Sequence, residues 1–337
     1  MGGTNRWCSF SIMFPSLSST AVVALSLCSA FGSASVLPRA SKQVYPGFKN
    51  LKYLFTLGDS YTQTGFNLTN GSPLPTSGNP LGNPVYPGWT SANGPNWVDY
   101  LTVEFNKTEL LTYNLAYGGA TIDADLVTPY TPTVLSLKDQ VEGLFVPILG
   151  PKPSYAPWKS SDSLFLIWIG INDIGNSYWN GDLENFYAVL MDEYFALVEK
   201  LYTTGARNFV FVNVPPVDRS PLTVGQGAES VALEAEAIGI YNGMVETRVK
   251  ALKKAHNDVW AQVFDSNKLF NKIIDNPSKY GLKNATGYCE SYTNGTPAQD
   301  TLYDECLIPV NKYFWLNNLH PTAPVHKVVA QELAKTL

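Results

Sequence analysis

The stretch SLFLIWIG, residues 163–170, is a nearly continuous apolar run in the middle of the chain. It does not alternate between apolar and polar residues, so it predicts a strand that is buried on both faces. Strands of this kind occur in parallel sheets that carry helices on both sides. The run therefore predicts an α/β fold.

The segments around this run repeat the pattern of strand and helix. Apolar residues at steps of three and four from Leu183 to Leu201 predict a helix, which Gly205 would end. A second long helix is predicted from the apolar face between Leu233 and Leu252. The other predicted elements are strands at 53–57, 110–120, 208–214 and 259–264, and helices at 96–105 and 324–337. This alternation predicts a parallel sheet that is covered on both faces.

Two segments between these elements lack a clear periodicity. Residues 67–95 are rich in Gly, Pro, Asn and Ser, which predicts a long loop. Residues 123–162 are irregular and rich in Pro, apart from a short amphipathic piece at 135–145. No repeat, linker or change of composition marks a second domain. In parallel sheets the binding site lies beyond the carboxyl ends of the strands, so the chemistry is expected there.

The bulk composition limits the class of protein. The chain has 337 residues, of which 45% are apolar, and this suits one large α/β domain. Only 15% of the residues are charged and the net charge is −5, without a basic patch. Binding to nucleic acid or to a membrane surface is therefore not expected.

The N-terminal segment predicts export from the cell. Residues 19–31 (STAVVALSLCSAF) form an apolar run that is too short to span a membrane, and small residues follow it. The predicted organisation is a signal peptide in residues 1–34 and one domain in residues 35–337. The alternative interpretation of this segment is a signal anchor. We expect a secreted, extracellular protein.

The cysteines and the glycosylation sequons agree with export. Cys8 and Cys28 lie inside the predicted signal, so the mature chain keeps Cys289 and Cys306, which predict one disulfide in an oxidising compartment. Nothing in the cysteine and histidine spacing suggests a metal site, and no cofactor is expected. Five sequons predict N-glycosylation at the surface. They lie at Asn67, Asn70, Asn106, Asn284 and Asn294.

The segment FTLGDSYTQTGF, residues 55–66, places Ser60 directly after a predicted strand. A nucleophilic serine needs a base, and imidazole has a suitable pKa. His256 lies among charged residues at a helix end and is interpreted as a solvated capping residue. His326 falls one turn into the last helix and is interpreted as structural. His320 precedes Pro321, which forces an extended backbone that can project the ring, so His320 is the candidate base.

Two further segments offer donors for a developing oxyanion. Gly118 and Gly119 follow a predicted strand, where a glycine lets a backbone N–H approach a substrate oxygen closely. Asn172 lies just past the buried strand, where its amide could point into a site. Taken singly, each of these features suits an ordinary tight turn. Taken together, Ser60, His320 and these donors all map to the same edge of one sheet.

Four segments in order, FTLGDSY, NLAYGGA, IGIND and NNLHPT, resemble the block pattern of the GDSL, or SGNH, hydrolases. The segments GPNWVDYL and YFWLNNLHPT are similar to sequences of fungal carbohydrate esterase family 16, whose members are secreted acetyl esterases. The resemblance implies a three-layer α/β/α sandwich with a five-stranded parallel sheet, the flavodoxin-like fold of that family. It implies Ser60 as nucleophile, His320 as general base, and the Ser60 N–H, Gly119 N–H and Asn172 side chain as oxyanion donors.

One residue departs from the family pattern. The broader family has Asp three residues before the histidine, and this chain has Asn317. In a serine protease the equivalent change costs about four orders of magnitude in rate. Either Asn317 or a backbone carbonyl orients His320 and the enzyme works as a dyad, which we favour, or the catalyst is slow. Asp300 or Asp304 could instead reach in from the preceding loop.

These observations predict a secreted serine esterase that acts as a monomer on acetylated plant cell-wall carbohydrates or other short-chain esters. Within the same family, the alternative is a lipase or phospholipase, which would need an apolar surface near Ser60. In a different class, the alternative is a non-catalytic glycan-binding protein on the same scaffold. The serine lacks the two flanking glycines of a nucleophile elbow, so we expect a shallow, open site. Four tryptophans could stack on sugar rings, namely Trp89, Trp97, Trp179 and Trp315. The alternative is that most of them belong to the core.

Overall fold

A five-stranded, all-parallel sheet forms the middle layer of the computed structural model, which describes residues 45–337. The strands are β1 (Tyr53–Gly58), β2 (Leu111–Asn114), β3 (Ser163–Trp168), β4 (Asn208–Val212) and β5 (Trp260–Phe264). Their order across the sheet is β2-β1-β3-β4-β5. In this register Phe55 pairs with Phe165, and Phe165 pairs with Phe209. The sheet predicted from the sequence is confirmed.

Helices cover both faces of this sheet. They are α1 (Trp97–Val103), α2 (Ile171–Gly175), α3 (Leu183–Thr204), α4 (Pro221–Gln226), α5 (Ala228–Ala255), α6 (Ser266–Asp275) and α7 (Ala323–Thr336). One group consists of α1 packed on α7, and the other of α3 packed on α5. Because α1 links β1 to β2 and α3 links β3 to β4 in opposite directions along the sheet, right-handed crossovers put the two groups on opposite faces. The three-layer sandwich is confirmed.

The burial of the strands explains why their apolar runs in the sequence are continuous. Every residue of β1, β3 and β4 is buried, as expected for central strands with helices on both sides. The strand β5 is only partly buried, because it lies at the edge and has one neighbour. Rings from neighbouring strands stack inside the core, with Phe55 and Phe165 centroids 4.9 Å apart.

The irregular segments differ in how well they were predicted. Residues 59–96 contain no helix or regular strand, as the loop prediction required. The segment predicted as a short amphipathic piece at 135–145 is a π-helix, Asp139–Leu149, which contains Pro147 and packs on α3. The short helices α2, α4 and α6 were not predicted. With five and six residues, α2 and α4 are too short to show a periodicity, whereas the apolar residues of α6 do follow a helical spacing and could have predicted it.

Some expectations fall beyond what these elements test. The predicted signal peptide, with Cys8 and Cys28, lies outside residues 45–337, so the domain boundary at residue 35 stays a prediction. Cys289 and Cys306 form the expected disulfide. No helix in the described part of the chain has both the length and the apolar character needed to span a bilayer.

Candidate active site

Ser60 and His320 are brought together although 260 positions separate them in the chain. The chain leaves β1 at Gly58 and turns at Asp59, so that Ser60 lies at the carboxyl end of that strand. Ser60 Oγ lies 2.8 Å from His320 Nε2, within hydrogen-bond distance. This contact is the arrangement in which an imidazole can take a proton from a serine hydroxyl.

Asn317 sets the orientation of the His320 ring. Asn317 Oδ1 accepts hydrogen bonds from the backbone N–H groups of Leu319 (3.0 Å) and His320 (2.8 Å). Because both of these groups can only donate, the atom that faces them is the amide oxygen. The same oxygen lies 3.1 Å from His320 Nδ1, so Nδ1 carries the proton. His320 Nε2 therefore presents its lone pair to Ser60, which is the tautomer that a base requires.

Among residues 45–337, no carboxylate takes the position beside Nδ1 of His320, which Asn317 occupies. Asp300 and Asp304 are exposed, and neither lines the cleft that contains His320. The suggestion that one of them reaches the ring is therefore wrong. Burial of much of the ring lowers the pKa of His320 to about 4, although one edge remains accessible in the cleft. The imidazole is neutral at pH 7 and available as a base.

The candidate oxyanion donors lie next to Ser60. The backbone N–H groups of Ser60 and Gly119 have no hydrogen-bond partner within residues 45–337. Asn172 Nδ2 donates to Ala120 O at 2.9 Å, which holds the amide at the same edge of the sheet. Ser60, Gly119, Asn172 and His320 line one cleft. The structure thus brings together the candidate nucleophile, the candidate base and the candidate oxyanion donors.

Two glycines make this placement possible. Gly119 has φ +84°, and a Cβ built on it would lie 2.2 Å from the ring of Tyr130. Gly170 has φ +123°, and a Cβ there would overlap the ring of Tyr241 at 2.5 Å. Because glycine adopts these conformations without steric penalty, α2 can begin directly after β3. That abrupt start places Asn172 at the edge of the sheet.

The cleft around Ser60 has a volume of about 670 Å³ and is open to solvent. Aromatic and apolar side chains form much of its wall, including Phe66, Trp89, Tyr130 and Leu319. Trp89 is 71% exposed and Tyr130 is 78% exposed. The exposed rings agree with the open site that the sequence predicted.

Several residues that support the site were not found from the sequence. Gln140 accepts from Gly58 N–H and donates to Gly58 O, both at 2.9 Å, which anchors the end of β1. Tyr61 donates its hydroxyl to Leu319 O at 2.6 Å, and so ties the serine loop to the histidine loop. Gln63 accepts from Gly118 N–H. Gln140 lies in the π-helix, and Tyr61 and Gln63 lie in the loop after β1. No sequence pattern distinguishes them from other residues of these types.

The other two histidines are interpreted as structural, and the four candidate tryptophans differ in exposure. His256 caps the C-terminus of α5 and pairs with Glu199 at 2.8 Å. His326 is buried in α7, and burial and His320 lower its pKa to about 3. Trp97 and Trp315 are buried in the core, so the suggestion that they stack on sugars is wrong. Trp89 and Trp179 are exposed, but only Trp89 lines the cleft of Ser60.

The sequons differ in accessibility. Asn67, Asn70 and Asn294 are exposed. Asn106 and Asn284 are half-buried and their side chains make hydrogen bonds to the backbone. Glycosylation at all five stays a prediction. Within residues 45–337 no group of His, Cys, Asp and Glu is arranged to hold a metal ion.

The chain is similar to known proteins over most of its length. A sequence model described as GDSL-like lipase/acylhydrolase matches residues 54–333. An acetylesterase from Thermothelomyces thermophilus is 39% identical over 312 residues, which cover 92% of this chain and 95% of that protein. A GDSL esterase/lipase from Arabidopsis thaliana is 26% identical, over 69% of this chain and 68% of its own. A solved lipolytic G-D-S-L protein from Veillonella parvula reaches a TM-score of 0.43 at 12% identity, over 85% of this chain and 98% of that chain, and supports no inference.

Proposed function

The chain belongs to the GDSL-like lipase/acylhydrolase family and is a carboxylic ester hydrolase, and we propose that it removes acetyl groups from carbohydrates with Ser60 as the nucleophile. The observation that carries the proposal is the 2.8 Å contact between Ser60 Oγ and His320 Nε2. The acetyl preference is supported by the likeness to the Thermothelomyces acetylesterase.

In the first half of the reaction, Ser60 Oγ attacks the acetyl carbonyl carbon while His320 Nε2 takes the serine proton. Negative charge develops on the carbonyl oxygen. The N–H groups of Ser60 and Gly119 and the amide of Asn172 stabilise that charge, because they are fixed before the reaction begins. The C–O bond to the alcohol then breaks, and His320 returns the proton to the leaving alcohol oxygen. Acetyl-Ser60 remains.

In the second half, a water molecule takes the place of the alcohol. His320 removes a proton from this water as it attacks acetyl-Ser60, and the same three donors stabilise the second oxyanion. The Ser60 oxygen leaves with the proton from His320, and acetate departs. No cofactor or metal is needed to balance these steps.

We propose that Ser60 and His320 act as a dyad that Asn317 orients. Asn317 Oδ1 holds the Nδ1–H of the ring, so the required tautomer is present before substrate binds. A neutral amide stabilises imidazolium less than a carboxylate does, so His320 is a weaker base than its counterpart in a full triad. Correct geometry compensates in part, because the nucleophile and base are already in contact.

We further propose that the protein is secreted and acts as a monomer on acetylated plant cell-wall carbohydrates or their oligosaccharides. The disulfide between Cys289 and Cys306 supports an oxidising compartment. The exposed sequons at Asn67, Asn70 and Asn294 are accessible to glycosylation. Uncharged aromatic surface beside Ser60 suits a neutral sugar better than a charged ligand.

A lipase or phospholipase is the second candidate, favoured by the apolar residues Phe66, Tyr130 and Leu319 in the wall of the cleft. The test compares hydrolysis of p-nitrophenyl acetate, butyrate and decanoate by the wild type, by Ser60→Ala and by Ser77→Ala. Ser77 is an exposed loop serine that lines neither cleft beside His320, so it controls for the substitution itself.

We expect the wild type to prefer the acetate, and Ser60→Ala to lose about four orders of magnitude in rate or more. Ser77→Ala should match the wild type. A preference for the decanoate would support the lipase instead. Activity that survives in Ser60→Ala would reject Ser60 as nucleophile, and a wild type without any esterase activity would leave only the non-catalytic glycan-binding protein.

A further inference from the structure

A second cleft of about 840 Å³ adjoins the cleft of Ser60. One wall is the loop segment 87–94, and the other is the segment 293–299, which lies between the two disulfide-bonded cysteines. The two clefts share Trp89, Ser91 and His320. These shared residues border both clefts, so a ligand at the reacting serine lies next to the second cleft.

The chemistry of the second cleft is neutral and polar. No Asp, Glu, Lys or Arg is present among the residues that line it, within the described chain. Hydroxyl and amide side chains supply both donors and acceptors. They belong to Thr90, Asn93, Thr293, Asn294, Thr296, Gln299 and Asn317. This set fits a ligand rich in hydroxyl groups and without charge.

Trp89 adds an apolar surface at the junction of the two clefts. Its indole is 71% exposed and lies against Gly65, where a Cβ would come within 2.8 Å of the ring. Gly65 has φ +76°, so a larger residue there would be strained as well as displace the indole. A large exposed aromatic side chain of this kind offers a flat contact for the C–H face of a sugar ring.

Internal contacts hold the walls of the second cleft in place. Asn93 donates to Thr296 Oγ1 at 2.8 Å and accepts from Thr296 N–H at 2.7 Å. The Gln299 side chain packs on Gly94, where a Cβ would lie 2.7 Å from it. The disulfide closes the segment from Cys289 to Cys306 around these contacts. A preformed wall lowers the entropy that a ligand loses on binding.

The proposed reaction assigns a direction to this cleft. His320 must protonate the leaving alcohol oxygen, so that oxygen lies within hydrogen-bond reach of His320 Nε2. The acetyl carbonyl oxygen lies instead towards Gly119 and Asn172, which line only the first of the two clefts. The alcohol part of the ester therefore extends from His320 into the second cleft.

We propose that the second cleft is the subsite for the leaving alcohol and that it binds a neutral oligosaccharide, with Trp89 stacking on a sugar ring. This inference rests on the proposed function. The volume of the second cleft falls in the range of sites that enclose drug-sized ligands, and a short oligosaccharide is a ligand of that size. The subsite makes the enzyme select esters by their sugar as well as by their acetyl group.

The experiment measures acetate release, as kcat/KM, from methyl acetate and from singly acetylated xylotriose and cellotriose. Methanol is too small a leaving group to fill the second cleft, so the ratio of oligosaccharide to methyl acetate reports the subsite. The variants are Trp89→Ala, Trp89→Phe, and Ala298→Trp, which fills the cleft. Trp179→Ala removes another exposed tryptophan, 58% exposed against 71% for Trp89, that lines neither cleft and serves as the matched control. Protein made in a host without N-glycosylation avoids any effect of a glycan on Asn294, which lies in the wall.

We expect the ratio to fall about tenfold in Trp89→Ala and in Ala298→Trp, the effect of losing roughly one good contact. Trp89→Phe should recover much of the ratio, and Trp179→Ala should leave it as in the wild type. If both cleft variants keep the wild-type ratio for both oligosaccharides, the subsite is rejected while the esterase stands. If the wild type releases no acetate from any substrate, the proposed function itself fails.

Discussion

At the scale of single residues, Asn317 is the departure that matters most. Its amide oxygen accepts from the backbone N–H groups of Leu319 and His320 and from the His320 ring, so it reproduces the hydrogen bond of a carboxylate. It cannot reproduce the charge. Without a negative neighbour to offset burial, the pKa of His320 falls to about 4. A triad carboxylate both orients the histidine ring and raises its pKa, whereas Asn317 only orients the ring of His320.

This difference predicts the effect of Asn317→Asp on the pH dependence. A carboxylate beside the ring stabilises imidazolium, so it raises the pKa of His320. The base is active only when unprotonated, so the acid limb of kcat/KM, which we expect near pH 4 in the wild type, moves to higher pH. Activity at pH 5 relative to pH 8 should then fall in the variant. The measurement is a pH–rate profile on methyl acetate.

The control for this prediction is Asn318→Asp, which adds the same charge one residue later on an exposed side chain. Its acid limb should stay close to that of the wild type. We expect turnover at pH 8 to change by less than about tenfold in Asn317→Asp, because the geometry is already supplied. A gain of several orders of magnitude would show that the missing carboxylate limits the enzyme and would count against the dyad.

Asn172 carries a second prediction at this scale. In the proposed mechanism its amide donates a hydrogen bond that strengthens as charge develops on the carbonyl oxygen, so Asn172→Ala should lower kcat by about 10²- to 10³-fold with little change in KM. Steady-state kinetics on methyl acetate measure the two constants separately. Asn176→Ala, an exposed residue at the end of the same short helix, is the control. If Asn172→Ala instead raised KM by this factor and left kcat unchanged, Asn172 would be assigned to ground-state binding.

At the scale of elements, the long segment from Cys289 to Cys306 has no regular strand or long helix to hold it. It is fixed by the disulfide, by the pair Asn93–Thr296 and by a small cluster of buried aromatic residues that includes Tyr292 and Tyr313. It forms one wall of the cleft beside His320. The disulfide therefore connects the stability of the protein to the shape of the site.

Removing the disulfide tests this connection. The double variant Cys289→Ser, Cys306→Ser opens a loop whose ends are 17 residues apart. The free energy of unfolding should fall by about 3 kcal/mol, since the unfolded chain regains the entropy of that loop. Calorimetry or denaturant unfolding measures the change. The ratio of kcat/KM for acetylated oligosaccharide to kcat/KM for methyl acetate should fall as well. If the variant is destabilised but keeps the wild-type ratio, the other contacts suffice to shape the wall of the second cleft.

At the scale of the whole molecule, buried carboxyl groups dominate the expected response to pH. Burial raises the pKa of four of them to about 7: Asp59, Asp99, Asp173 and Glu234. One oxygen of each of the three aspartates lacks a hydrogen-bond partner within residues 45–337, which favours the protonated form. The unfolded chain loses these protons near pH 4. The folded protein therefore binds more protons between pH 4 and pH 7, and its stability falls as the pH rises through that window.

The two buried histidines act in the opposite direction. The pKa values of His320 and His326 are lowered to about 4 and about 3, so the unfolded chain binds the extra protons as the pH falls below about 6.5. Four carboxyl groups outweigh two imidazoles, so we expect a higher Tm at pH 5 than at pH 8. Calorimetry at the two pH values tests this. Asp99→Asn, which removes one titrating group, should narrow the difference, and a higher Tm at pH 8 would contradict the assignment.

The overall topology could be predicted because the central strands and the two long helices each have a recognisable apolar pattern in the sequence. The apolar runs at β1, β3 and β4 are buried on both faces, and the helices α3 and α5 follow their apolar spacing. The amphipathic piece expected at 135–145 did not predict a π-helix that runs on to Leu149, because Pro147 lies inside it and a proline normally ends or kinks a helix. Trp97 and Trp315 were left open between sugar stacking and the core, because the sequence does not say which side of an element faces the core, and both are buried.

The sequence by itself determined the parallel sheet, the four blocks at its edge and the identity of the candidate catalytic residues, because strand burial and glycine turns are properties of short segments. Only the tertiary structure decided what orients His320, since that depends on which side chain reaches Nδ1, and it is Asn317 rather than Asp300 or Asp304. The supports at Gln140 and Tyr61 and the second cleft also depend on contacts between distant segments. Local patterns record which residues a segment contains, whereas hydrogen-bond partners and clefts arise only when segments far apart in the chain meet.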